Sequence, residues 1–196
     1  MKKLLLFILA IICVLGIIFV VVTPISPEDS LEYQFRLVKS EYFDDVCEKL
    51  EVDVISEVKN MFAENGIILT DEEADRVIST LLDFEYTIHE SKVYDDYANV
   101  SVTIETVDLF NIGKEKVKAN ISDIILGALS GKEVSNEAIV KEVIAELDGA
   151  PKDYSNTVNV RMNDIKGILY LLDFENNADL YNALSGGLLY ELEMLE

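Results

Sequence analysis

Five tyrosines, Tyr86, Tyr94, Tyr97, Tyr154 and Tyr170, lie on or beside segments that read as strands, in a chain with 37 acidic residues. A phenol beside a carboxyl whose pKa is raised by burial is a workable acid–base pair. Tyrosines at such positions are also ordinary sheet residues, because aromatics favour strands and pack across them. Tyr86, Tyr97, Tyr154 and Tyr170 are therefore the expected lining of any pocket the sheet holds, with no catalytic role assigned. Adjacent acids such as Asp44-Asp45 and Asp95-Asp96 have the chemistry of a glycosidase-like pair, but with so many acids close pairs arise by chance.

The remaining reactive groups are few. His89 is the sole histidine and falls on the polar side of a strand, as a solvent-facing or rim residue. With one histidine, Cys–His and Ser–His–Asp nucleophile systems lack a base. No Gly-rich phosphate loop is present, since Gly186-Gly187 ends a helix and does not open one. Asp71, Glu72, Glu73 and Asp75 lack the glycine turn and alternate oxygens of a calcium loop and fit a helix N-terminus better. No metal and no cofactor is expected. Cys47 sits on an apolar helix stripe beside Val46 and Leu50 and reads as a buried, inert thiol.

What fixes the location of any such chemistry is the N-terminus. Met1-Lys2-Lys3 precedes an uncharged apolar run from Leu4 to Val22. As a helix this run would span roughly 28 Å, close to the roughly 30 Å hydrocarbon core of a bilayer. A cleaved signal peptide has a shorter apolar core and a small-x-small site, whereas Thr23-Pro24-Ile25-Ser26-Pro27 follows here. A lipoprotein signal would place a small residue before the acylated cysteine, whereas Ile11 and Ile12 precede Cys13. An uncleaved signal anchor is the favoured reading over those two. Lys2 and Lys3 put the N-terminus on the cytoplasmic side, and residues 27–196 outside. The expected organisation is 1–26 for tip, anchor and linker, 27–188 for an exported domain, and 189–196 for an acidic tail.

The whole chain carries a net charge of −21; Lys2 and Lys3 precede every acid, so the exported part carries −23. Such a surface lacks the cations that neutralise phosphates, which argues against nucleic acid as a partner. It also suits a solvated, soluble coat. Cys47 is the only cysteine outside the apolar run, so the exported part forms no internal disulfide.

The exported part has about 170 residues, enough for one core. Ser26-Pro27-Glu28-Asp29 is a helix start, and Leu31, Phe35, Val38, Tyr42 and Val46 recur on one face. A further helix carries Val54, Ile55, Val58, Met61 and Phe62, and Thr70–Glu73 is a capping box for another. The apolar period then changes to two. Strands are expected at roughly 83–92, 97–108, 154–163 and 167–173, as two hairpins. Val100, Val102, Ile104, Val158 and Val160 should point inward, and Ser101 and Thr103 outward. Two helices, 112–130 with its stripe Val117, Ile121, Ile124, Ile125 and Ala128, and 135–148, separate the hairpins. Asn176–Leu184 is a terminal helix. The class is α+β, a four-stranded antiparallel sheet with helices 27–64 laid over it.

The export segment, Ser26-Pro27-Glu28 opening a helix, the alternating strand Ala98–Val107 and the closing Asp179-Leu180-Tyr181-Asn182-Ala183-Leu184-Ser185-Gly186-Gly187-Leu188 together resemble one known group. These are small membrane- or lipid-attached exported bacterial proteins of the nuclear-transport-factor-2-like (cystatin-like) superfamily, mostly of unknown function. The resemblance implies a curved antiparallel sheet wrapped on helices into a cone. Catalytic residues of the superfamily's enzymes have no match here. The functional expectation is a membrane-anchored, extracytoplasmic, non-catalytic module that binds an envelope protein or a small ligand through the sheet's concave face or open end. Its rival is a small-molecule enzyme using a pocket carboxylate and a tyrosine as acid and base.

Overall fold

A computed structural model describes residues 25–40, 47–48, 53–64, 66–130, 136–173 and 175–193. The expected membrane segment 4–22, Cys13, Asp44-Asp45, the first residue of the expected helix 135–148 and the last three residues lie outside the described residues. In chain order the elements are α1 (Pro27–Val38), α2 (Val54–Ala63), α3 (Asp71–Leu82), β1 (Glu85–Val93) and β2 (Tyr97–Thr106). There follow α4 (Leu109–Ser130), α5 (Asn136–Glu146), β3 (Tyr154–Ile165), β4 (Leu169–Leu172), α6 (Ala178–Leu184) and α7 (Leu188–Glu193). Among the described residues no helix is long and apolar enough to cross a membrane.

The four strands form one open antiparallel sheet in the order β1-β2-β3-β4. The α+β class and the two-hairpin layout are as expected, with strand ends displaced by a residue or two. Register follows the alternation: Val100, Val102, Ile104 and Val160 are fully buried and Val158 nearly so, while Ser101 and Thr103 turn to the other face. One irregularity has no sequence counterpart. Ile88 pairs with Val102 but Ser91 pairs with Val100, so His89 and Glu90 together oppose one residue. This bulge keeps the charged Glu90 off the inner face and gives that place to Ser91.

Helix α1 lies across the inner face, against β1, β2 and β4. Ser26 caps it, its hydroxyl accepting from the Asp29 N–H, and Pro27 occupies the first turn where no donor is needed. Its buried face, Leu31, Phe35 and Val38, packs on the sheet, and Phe35 meets Phe84 and Tyr86 edge-on at 5.4 and 5.0 Å. Gln34, also buried, seals the free edge of β4: its Nε2 donates to Tyr170 O at 3.0 Å and its Oε1 accepts from Leu172 N at 3.2 Å. Ser30 Oγ accepts from Tyr170 N at 3.3 Å. An edge strand otherwise exposing unpaired donors is thus closed by side chains.

On the same inner side α6 and α7 add Leu180, Ala183, Leu184 and Leu189 to the core, and α3 adds Ala74, Val77, Ile78 and Leu81. The capping box at α3 is present in both directions, Glu73 N to Thr70 Oγ1 at 3.2 Å and Thr70 N to Glu73 Oε2 at 2.7 Å. Cys47 is buried. Helix α4 departs from expectation. Val117 and Ile121, the start of its apolar stripe, are 46% and 51% exposed. The face turned to α5 instead carries Lys116 and Asn120, which pair with Glu146 and Glu142. These polar bridges join the two helices there; the side chains of Ile124, Ile125 and Ala128, the rest of the expected stripe, lie outside the described residues.

Candidate functional site

The helix-covered inner face, the expected concave binding face, is filled by apolar core side chains, so the surface left for chemistry is the outer face. Strand alternation puts Thr87, His89, Tyr97, Asn99, Ser101, Thr103, Thr157, Asn159 and Arg161 there, all half-buried or exposed. Thr87 opposes Thr103, and Thr103 opposes Thr157, making one row across three strands. The row is hydrogen-bonded: His89 Nε2 lies 2.8 Å from Thr103 Oγ1, which lies 2.7 Å from Thr157 Oγ1. His89 reaches Thr103 diagonally from the bulge, since the residue directly opposite Thr103 is Thr87.

A second group lies further along the same face, with Arg161 opposite Asn99 where Thr157 is opposite Thr103. Tyr94 and Tyr97 stack with centroids 4.4 Å apart and planes 13° from parallel. The Arg161 guanidinium covers Tyr97 at 3.7 Å, and Lys92 Nζ sits 5.3 Å from the Tyr94 ring. Two cations thus bracket two rings, an arrangement favoured by the ring quadrupole. Arg161 Nε is 3.1 Å from Asp173 Oδ2, an ion pair whose N–H is not aimed at the oxygen. The Arg161 backbone is held from behind by Asn177. Its Oδ1 accepts from Arg161 N and its Nδ2 donates to Arg161 O, both at 2.7 Å, as a neighbouring strand would.

The four tyrosines expected to line a pocket do not meet. Tyr97 is on the outer face. Tyr86 is on the inner face against Phe35 and Phe84, its phenol pushed up by burial and then by Glu32. Tyr154 lies at the opposite end of the sheet from Tyr97, its phenol raised by burial, with its oxygen accepting from Asn156 Nδ2 at 3.4 Å. Tyr170 lines a cavity of about 20 Å³ with Ile25, Ser30, Tyr33 and Gln34, too small for a ligand. A groove of about 500 Å³ between α4 and α5, lined by Asn111, Ile112, Glu115, Lys116, Ala119 and Glu146, contains none of them.

The nearest approach to an acid–tyrosine pair is elsewhere. Tyr190 OH donates a short hydrogen bond to Asp179, which first, and burial second, pushes the phenol up to about 12. That phenol stays protonated near neutral pH and does not act as a base there. The buried acid near a strand tyrosine, Asp173, faces Arg161 and accepts from Glu175 N and Asn176 Nδ2. Sequence reasoning passed over Arg161, Lys92 and Asp173. A cross-strand register would have found the first, since Arg161 opposes Asn99 two residues from Tyr97 on the same face.

No family model matches this chain, and no curated protein matches it. Among solved structures, it is similar to the crystal structure of "a putative lipoprotein (ycdA)" from Bacillus subtilis, with 18% identity and a TM-score of 0.45. The match covers 80% of this chain, which spans 55% of the length of that one.

Proposed function

We propose that this protein is a membrane-anchored, extracytoplasmic binding module, single-pass through residues 4–22 with its N-terminus cytoplasmic, and that its partner is an envelope protein held on the outer face of the sheet. The observation that carries the reading is the solvated row His89–Thr103–Thr157 and the Lys92–Tyr94–Tyr97–Arg161 stack. Three strands of about ten residues and one of four, at ~4.8 Å between strands and ~3.4 Å per residue, make a face of roughly 550 Å². That approaches the roughly 800 Å² per partner of a standard protein interface. Small ligands favour enclosed, mostly apolar cavities of roughly 300–1,000 Å³. The α4–α5 groove has the volume but is open, and two of its polar groups, Lys116 and Glu146, bind each other. The fold is read as of the nuclear-transport-factor-2-like (cystatin-like) type, supported by the closing segment around Gly186-Gly187.

Photo-crosslinkers placed at Thr103 and Asn159 of the full chain in native membranes test this. Both should trap the same discrete protein, and Arg161→Glu should abolish the adduct, while a crosslinker at Lys59 on α2 should trap nothing. Adducts from Lys59 alone, or thermal shifts with small ligands and no protein adduct, would refute the assignment. A periplasm- or surface-dependent reporter fused to Glu196 checks topology, activity only in the cytoplasm being the contrary result.

A further inference from the structure

The chain enters the domain at the same end of the sheet as both hairpin tips. Ile25 N donates to Ile168 O in the β3–β4 turn at 3.0 Å, and Asp164 N donates to Asp96 O in the β1–β2 turn at 3.0 Å. The three features are thus tied together by backbone bonds. This end carries four of the nine large apolar side chains that are exposed among the described residues: Val93 (55%), Tyr94 (37%), Ile165 (38%) and Ile168 (40%). Scattered exposed apolar residues need no explanation, whereas a cluster on two linked turns does. Val22, the last residue of the apolar run, is three residues from Ile25, a reach of at most about 10 Å.

We propose that the two hairpin tips rest in the interfacial layer of the bilayer that residues 4–22 cross. Val93, Ile165 and Ile168 enter the boundary between headgroups and acyl chains, and Tyr94 sits at headgroup level, where amphipathic rings collect. Lys92 and Lys166 extend their stems along the same surface with their charges in water. Asp95, Asp96 and Asp164 share these turns, so the contact is apolar and does not need anionic lipid. The tether makes docking intramolecular, so a weak contact suffices. Docked this way, the domain stands on its hairpin tips with the outer face of the sheet turned sideways to a neighbour in the membrane. The inference rests on the anchor reading of residues 4–22.

The chain has no tryptophan, so single reporters are clean. Full-length Ile168→Trp, Val93→Trp and Ser155→Trp would be reconstituted in phosphatidylcholine vesicles with and without brominated acyl chains. Ser155 is exposed and opposes Glu105, at the far end of β2 from Tyr97, ~27 Å along the strand. Both tip reporters should lose more than half their emission in brominated vesicles, and Ser155→Trp should be unchanged. Unquenched tip reporters in protein that resists alkaline carbonate extraction would overturn the docking and leave the anchor standing. Release of the protein by carbonate would overturn the anchor, and the docking with it. Equal quenching at Ser155 would mean that the domain lies on another face, which also overturns it.

Discussion

Asn177 is 1% exposed, and its amide serves three backbone groups: Arg161 N, Arg161 O and Asp173 O, each at 2.7 Å. Truncation to alanine strands a buried donor and weakens two acceptors, so Asn177→Ala should cost about 2–3 kcal/mol in urea unfolding. Asn177→Asp keeps the acceptor but turns a charge toward two carbonyls. It should cost more than alanine at neutral pH and recover part of that loss in acid, where the carboxyl regains a donor. Parity of the two variants across pH would show that the amide donors matter little. Gly186 is constrained differently: φ is +57°, and an added Cβ would lie 2.0 Å from Val107 O and 2.7 Å from Leu109 N. Gly66 has φ +75° but open space around it. Gly186→Ala should therefore cost roughly 2–4 kcal/mol or abolish folding, against about 1–2 for Gly66→Ala. Differential scanning calorimetry of the pair separates backbone strain from steric conflict, and equal losses would mean that the close approach relaxes freely. A sequence shows Gly186 as a helix stop but cannot show what it is pressed against, because Val107 is nearly eighty positions away. Asn177 is invisible for another reason: its partners, Arg161 and Asp173, are near in sequence, but all are backbone groups, and no residue type marks them.

Most elements were legible because each depends on local signals: the Thr70 capping box, the Ser26-Pro27 start, and the two-residue alternation in β2 and β3. Non-local bonds were not. The closure of β4 by Gln34 joins positions 136 and 138 residues apart, and nothing in the spacing of α1 distinguishes Gln34 from a surface glutamine. Gln34→Ala should destabilise by about 2–4 kcal/mol. It should also speed hydrogen exchange at the Leu172 amide, which loses its acceptor, well beyond the global loss, and less so at the Tyr170 amide, which keeps Ser30. Exchange that slows or speeds uniformly would count against a local seal. The α3 capping box makes a pH prediction. The Thr70 N–H above all, with its hydroxyl, Lys141 and Arg76 adding less, holds the Glu73 carboxyl below its ordinary value of 4.5 against the opposing effect of burial, the second-largest influence. A depressed folded value stabilises above the unfolded value and loses that contribution as pH falls through the folded one. The wild-type chain should thus lose stability below about pH 4.5 more steeply than Glu73→Gln, whose amide keeps the reach without the titration. Parallel acid profiles would remove Glu73 from the account.

Taken whole, residues 27–196 hold every acid of the chain and a net charge of −23. Two opposing effects decide how salt acts on such a domain. Like charges crowded on a folded surface repel more than on an expanded chain, and screening relieves that. Ion pairs weaken under the same screening. Arg76 is shared by Glu72 and Asp148, Lys141 by Glu73 and Glu137, and Lys152 by Asp83 and Glu85. All of the acids in these pairs except Glu73 and Glu137 are at least half exposed, so each pair contributes at most about 1 kcal/mol. Repulsion summed over an excess of 23 negative charges outweighs them. From 0.01 to 1 M salt the screening length falls from ~30 to ~3 Å. The urea midpoint should rise across that range, with an unchanged slope, and Lys152→Gln should steepen the rise by removing a cation from between Asp83 and Glu85. A midpoint that falls with salt would mean that the shared cations, not the acidic excess, govern the stability of the domain.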